Sequence, residues 1–184
     1  GPLTPDSAAA MGEADVEKIK ARDKTGEAKR ITDKMPGNCN MMALIHCILT
    51  QAKIILCRRD PIDNCLSCYK QNFAVGHDWA YDLKELAHHY KLFDDLMAYW
   101  KTVLPGRFLE VNYEETVNNF EDQARKLIDF VGLEWHDACL EPHKQKRAVL
   151  TASKNQVIQP IYKSSVAAWK RYEKQLEPLI TGLE

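Results

Sequence analysis

The sequence predicts an α/β protein in which a parallel sheet is flanked by helices. Residues 52–57 and 108–113 are the strongest strand candidates, and the first is almost continuously apolar, the pattern of a strand covered on both faces. Between them, apolar residues recur close to a helical period over residues 82–103. Strands separated by helices need crossover connections, so we expect them to run parallel.

The N-terminal part of the chain predicts a helix followed by a loop. Thr4 is a good helix cap and Pro5 suits the first helical position, so a helix is expected over about residues 5–22. Its apolar face is thin, and residues 24–29 are polar. We therefore predict a weakly packed segment over residues 1–29 and an α/β domain over residues 30–184.

The first part of that domain alternates short apolar segments with turn residues. A short strand is expected at residues 30–33, and a buried helix at residues 41–49. After the strand at residues 52–57, Asp60 suits the cap and Pro61 the first position of a helix that should run to about residue 72.

The remaining elements have recognisable ends. The helix over residues 82–103 should stop before Pro105, and Gly132 should close a helix that begins near residue 120. Ser164 or Ser165 should cap a last helix over about residues 165–177.

Composition excludes several classes of protein. The 184 residues carry 25 Lys and Arg against 26 Asp and Glu, a net charge of −1. This balance argues against a nucleic acid or anionic membrane partner. No apolar run approaches the roughly 20 residues of a membrane span, and the first residues do not resemble a signal peptide. We expect a cytoplasmic chain.

A C-x-x-C pair, Cys65 and Cys68, is the one pattern that suggests a metal or redox site. Zinc sites need a second pair of ligands at suitable spacing, and redox pairs need a thioredoxin-like context. The sequence offers neither. We therefore expect small, partly buried helix positions and no metal.

The strongest chemical signal is a pair of arginines where the strand at residues 52–57 meets the next helix. Arg58 and Arg59 are followed by Asp60-Pro61, so a helix N-terminus with free N–H groups should lie beside two guanidinium groups. Ser67 follows eight residues after Arg59, on a related helix face. These groups predict an anion site. The alternative is that both arginines pair with Asp60 or Asp63 on the surface.

Two lysines and one serine are weaker candidates. Lys34 follows the short strand at residues 30–33 and can face the same sheet edge, or be an ordinary exposed loop lysine. Ser153 opens a polar segment, residues 153–157, and Lys163 precedes the predicted last helix.

An ordered set of segments resembles bacterial sulfotransferases of the tetratricopeptide-repeat-associated type, which are similar to tyrosylprotein sulfotransferases. The resemblance runs over about residues 30–180 and rests on residues 31–38, 52–69, 72–74, 79–83, 104–107, 109–114 and 153–162. It implies a P-loop-like sulfotransferase fold. It also implies transfer of a sulfuryl group from 3′-phosphoadenosine-5′-phosphosulfate (PAPS) to a hydroxyl or amine of a small molecule or peptide.

The resemblance assigns roles residue by residue. Arg59 and Ser67 match the residues that bind the 3′-phosphate of the nucleotide, Lys163 stands where a basic residue assists them, and Tyr113 matches a tyrosine near the adenine. Ser153 opens the loop that closes over the nucleotide and lies near the sulfate. Lys34 falls in the segment that approaches the sulfuryl group. No general base is assigned.

One family feature has no counterpart here. Family members begin their core with a strand and a Pro-Arg-Ser-Gly-Thr-Thr-like loop whose N–H groups hold the phosphosulfate, and nothing in residues 1–30 resembles it. We therefore expect the C-terminal part of a sulfotransferase domain, lacking that strand, with little transfer activity on its own. The alternative is an inactive module that binds a nucleotide or a protein. A missing strand exposes a sheet edge, which predicts pairing between copies in a homo-oligomer.

Overall fold

The computed structural model describes residues 2–73, 76–144 and 159–184. The chain divides into two compact units, Gly1–Ala52 and Lys53–Glu184. The domain boundary that the sequence predicts, between residues 29 and 30, stays a prediction.

The first unit pairs two helices. Helix α1 spans Pro5–Lys20, and a 3-10 turn over Pro36–Met41 leads into α2, Met42–Ile48. Both predicted helices are confirmed. Thr4 and Ser7 form a reciprocal capping box at the start of α1, which satisfies N–H groups that the helix itself leaves unpaired.

The predicted strand at residues 30–33 is wrong, because this stretch has no regular structure. Its one large apolar side chain, Ile31, is 39% exposed, so no buried face stabilises a strand. The loop before it is ordered by Asp23, whose carboxylate accepts hydrogen bonds from the backbone N–H groups of Ala28 and Thr25. These bonds, that of Ala28 first, lower the pKa of Asp23 to about 2.

The second unit contains the sheet. Strand β1, Ile54–Arg58, runs parallel to β2, Phe108–Asn112, in a register that pairs Ile54 with Phe108 and Arg58 with Asn112. The predicted parallel pairing is confirmed. The described residues form a two-stranded sheet.

Helices flank this sheet and supply most of the core, but β1 is only partly buried and Cys57 is exposed, so the expectation of a strand covered on both faces is wrong. They are α3 Pro61–Tyr69, α4 Leu83–Val103, α5 Tyr113–Asn118, α6 Phe120–Phe130 and α7 Glu177–Leu183. Short 3-10 turns lie at Asp78–Tyr81, Asp137–Leu140, Pro142–Lys144 and Ala168–Tyr172. Buried side chains of α3, α4 and α7 and of the residue before α7 pack together: Cys65, Leu66, Leu86, Ala87, Leu176 and Leu179. Within the described part of the chain, no helix is long and apolar enough to cross a membrane.

The predicted helices at residues 61–72, 82–103 and 120–131 are confirmed, the first ending earlier at Tyr69. Asp60 caps α3 as expected, accepting a hydrogen bond of 2.8 Å from the N–H of Asp63. Tyr113, predicted as the end of a strand, instead begins α5, because the Asn112 side chain accepts the N–H of Glu115 and caps a new helix.

The predicted last helix over residues 165–177 is wrong. Ala167 adopts a left-handed conformation, φ 54°, which interrupts a right-handed helix. The N–H of Trp169 bonds to the Asp63 carboxylate rather than to a carbonyl one turn earlier. A helix begins only at Glu177, where Pro178 fits the first turn and Leu179 is fully buried.

Helix α1 depends on the absence of a side chain at Gly12. A Cβ there would lie 1.9 Å from the backbone carbonyl oxygen of Ile48 in α2.

Gly→Ala in a helix normally stabilises by about 1 kcal/mol, but here we expect Gly12→Ala to lower the free energy of unfolding by about 1–3 kcal/mol, because the two helices must separate. Urea denaturation measures this. Gly37→Ala is the control, since open space surrounds Gly37, and an equal effect of both variants would contradict the close packing.

Candidate functional site

One face of α3 lines a cavity of about 480 Å³. Asp63, Leu66, Ser67 and Lys70 contribute to its wall, and they recur at the spacing of one helix face. Arg59 enters from the end of β1. The remaining wall comes from α5 and the C-terminal segment: Tyr113, Thr116, Val117, Pro142, Gln159, Pro160, Ile161, Tyr162, Ser165 and Ala168. All of these residues belong to the second unit.

Arg59 presents its guanidinium group to this cavity. One terminal nitrogen, Nη2, donates a 2.7 Å hydrogen bond to the backbone carbonyl of Ser165. The guanidinium carbon lies 4.9 Å from the centre of the Tyr113 ring, a cation–π distance. Its Nε is buried and has no hydrogen-bond partner in the part of the chain that the structure describes. Arg59 therefore keeps an unpaired N–H donor in the wall of the cavity.

The neighbouring Arg58 has different contacts. It forms an ion pair with Asp94 on α4 and lies 5.7 Å from the centre of the Phe93 ring. Burial by itself lowers the pKa of Arg58, but the hydrogen bond to Asp94 and nearby negative charge outweigh it and raise the pKa. The alternative that both arginines pair with Asp60 or Asp63 is wrong for Arg58.

Two of the backbone donors that the sequence predicts at the N-terminus of α3 are already paired within the protein. The N–H of Asp60 donates to the Glu114 carboxylate at 3.0 Å, and the N–H of Asp63 donates to the Asp60 carboxylate. Acidic side chains of the protein thus occupy the place expected for an anion. The cavity also has side-chain donors in its wall, among them Arg59 and Ser67.

Lys70 is a cavity residue that the sequence analysis missed. Its ammonium lies 4.1 Å from the centre of the Tyr172 ring, and it lines the same cavity as Ser67. The sequence could have indicated this position, because Lys70 follows Ser67 by three residues and residues at that spacing share a helix face. Among the described residues of the cavity wall, Arg59 and Lys70 carry cationic side chains.

A second cavity, of about 660 Å³, lies where both strands end. Its wall includes Arg58 and Arg59 but is richer in carboxylates: Asp60, Asp94, Asp95, Glu110 and Glu114. The ends of parallel strands are the expected ligand position in an open α/β sheet. Excess negative charge makes this second cavity the poorer place for an anion.

Comparison with known families identifies the family of the chain. A family model described as "Sulfotransferase family" matches residues 3–137, well over half of the chain. The chain belongs to the sulfotransferase family. A protein of Aquifex aeolicus (strain VF5), described as "Uncharacterized protein", is 39% identical over 161 residues, which cover 86% of this chain and 21% of that protein. The chain therefore spans about a fifth of the length of this relative.

The family match has different limits from the resemblance seen in the sequence. It includes α1, which lies before the first segment that resembles the family, and it ends at residue 137. The α/β fold with a parallel sheet is that of a sulfotransferase. The resemblance beyond residue 137 stays a prediction.

The structure brings some of the predicted sulfotransferase residues together. Arg59, Ser67 and Tyr113 line one cavity. Lys163 is exposed and is not part of its wall. Lys34 is an exposed residue of the first unit, whereas the cavity is built from the second. Ser153 lies outside the described residues.

The two cysteines of the C-x-x-C pair are buried or partly buried, as expected. Burial raises the pKa of the Cys65 thiol to about 12 and also raises that of Cys68, so neither is an activated thiolate. Over residues 2–73, 76–144 and 159–184, no cluster of three His, Cys, Asp or Glu side chains is arranged to hold a metal ion.

These pKa directions predict the order of alkylation. Cys47 and Cys57 are exposed, whereas Cys65 is 1% exposed and protonated at pH 8. Iodoacetamide at pH 8, followed by mass spectrometry of peptides, should label Cys47 and Cys57 in the folded protein and Cys65 only after unfolding. Early labelling of Cys65 would contradict its burial.

Proposed function

We propose that the chain binds the nucleotide part of PAPS and serves in transfer of its sulfuryl group to a hydroxyl or amine of a small molecule or peptide. The observation that carries this proposal is the cavity that Arg59, Ser67 and Tyr113 line together. These are the residues for which the sequence predicts contact with the 3′-phosphate and the adenine. Membership of the sulfotransferase family supports the reaction class.

The chemistry of the cavity suits a phosphorylated nucleoside. A terminal phosphate carries about two negative charges near neutral pH, and Arg59 and Lys70 supply cations while Ser67 supplies a hydroxyl donor. Tyr113 and several apolar residues offer surface for a base and sugar. The volume of about 480 Å³ lies within the usual range for small-molecule sites.

In the proposed reaction, a base removes the proton of the acceptor hydroxyl or amine, and the acceptor atom attacks the sulfur in line. The bond from sulfur to the bridging phosphate oxygen breaks, and adenosine 3′,5′-bisphosphate leaves with the bonding electrons. Lys34 is proposed to stabilise charge on the bridging oxygen, and Ser153 and Lys163 to act near the sulfate and the 3′-phosphate. Positioning and charge stabilisation would supply most of the acceleration.

A second candidate function is nucleotide or protein binding without transfer. It needs only the cavity that Arg59, Ser67 and Tyr113 line, without the residues proposed for transfer. Incubation with radiolabelled PAPS and a phenolic acceptor tests it, because labelled product would exclude binding without transfer. The predicted pairing of sheet edges between copies stays a prediction; in the described residues β1 and β2 pair with no other strand.

The proposed phosphate contacts predict a nucleotide preference. Adenosine 3′,5′-bisphosphate should bind more tightly than adenosine 5′-monophosphate, because only the former carries the 3′-phosphate. Arg59→Ala should remove most of this preference, since a guanidinium group can hold two phosphate oxygens. Ser67→Ala should cost about 1 kcal/mol of binding free energy. Calorimetric titration measures each affinity.

The matched control is Arg125→Ala, which removes an exposed arginine that pairs with Glu121 on α6. It should leave both affinities unchanged. Equal affinities for the two nucleotides in the wild-type chain would contradict a 3′-phosphate site.

A further inference from the structure

Two buried polar atoms in residues that line the cavity lack partners within the described part of the chain. One is Arg59 Nε, a hydrogen-bond donor, and the other is Asp63 Oδ2, an acceptor. Asp63 is 1% exposed, and its other oxygen, Oδ1, accepts the N–H of Trp169 at 2.9 Å. Native proteins rarely leave buried charged groups unsatisfied, because each lost hydrogen bond lowers stability.

Simple ions do not satisfy both atoms. A phosphate dianion accepts hydrogen bonds from Arg59 but is repelled by the Asp63 carboxylate. An ammonium group donates to Asp63 but is repelled by Arg59. A hydroxyl satisfies both, because its oxygen accepts from Nε–H while its proton is donated to Oδ2.

The order of residues along α3 places this pair beside the phosphate donors. Asp63, Ser67 and Lys70 follow one another along one face of the helix. One helical turn rises about 5.4 Å, a span that two adjacent oxygens of a ligand and their hydrogen bonds can cover. A phosphate held by Ser67 and Lys70 would therefore have its neighbouring oxygen about one helical turn away, toward Asp63 and Arg59.

We propose that Asp63 and Arg59 recognise a hydroxyl group next to the phosphate that the cavity binds, and so select ribonucleotide 3′-phosphates over their 2′-deoxy counterparts. This inference rests on the proposed function and adds Asp63 as a specificity-determining residue. The 2′-hydroxyl of the ribose is the group adjacent to a 3′-phosphate. Asp63 Oδ2 accepts a hydrogen bond from this hydroxyl, and Arg59 Nε–H donates one to its oxygen.

The test compares two ligands that differ by one oxygen atom, adenosine 3′,5′-bisphosphate and its 2′-deoxy analogue. Calorimetric titration of the wild-type chain should show about tenfold tighter binding of the ribonucleotide. This ratio corresponds to the contribution of one hydrogen bond to a charged group. In Asp63→Asn the carbonyl oxygen can still accept from Trp169, but the acceptor for the hydroxyl is lost. The two affinities should become equal, and the deoxy analogue should bind more tightly than to wild type, because a repelling charge is gone.

Asp122→Asn is the matched control, since it removes the same charge from an exposed position on α6. It should keep the wild-type ratio. Equal affinities of both ligands for the wild-type chain would overturn the inference and leave the proposed function standing, a result that does not depend on whether Asp63→Asn folds. Binding of neither ligand would overturn both. Equal weakening of both ligands by Asp63→Asn, with an unchanged ratio, would show that Asp63 only supports the fold.

Discussion

The start of helix α3 is the constraint on which the candidate site depends. Asp60 and Pro61 begin the helix directly after β1, so Arg58 and Arg59 are held where the strand ends. Successive side chains of an extended chain point in opposite directions, which accounts for their different partners. Arg58 pairs with Asp94 on α4, while Arg59 contributes to the cavity. One arginine thus connects a helix to the sheet, and the other lies in the cavity wall.

The same helix start attaches the C-terminal segment. Arg59 donates to the carbonyl of Ser165, and Asp63 accepts the N–H of Trp169. These two bonds place residues 165–169 over the first turns of α3, where Ser165 and Ala168 complete the cavity wall. Asp63 is the one charged side chain that is buried in the described ranges. Its burial is reasonable only because the segment that covers it also supplies a hydrogen bond.

The elements that were predicted correctly are those that local sequence patterns determine. Both strands, α3 and α4 follow from apolar spacing and from caps such as Asp60, and the contribution of Ser67 to the cavity follows from helix periodicity. The failure of the predicted last helix comes from contacts between distant residues. The bonds from Arg59 to Ser165 and from Trp169 to Asp63 each join residues 106 positions apart, and they replace the helix predicted there. Lys70 was missed although helix spacing from Ser67 would have found it.

The central claim is that Arg59 is a ligand-binding residue and not only a link to Ser165. Its unpaired Nε–H gives a direct probe, the ¹H–¹⁵N NMR signal of that group during titration with adenosine 3′,5′-bisphosphate. The account predicts a saturable shift of the Arg59 Nε–H signal while the Nε–H signal of Arg125 stays in place. An Arg59 signal that does not move while the nucleotide binds would contradict it.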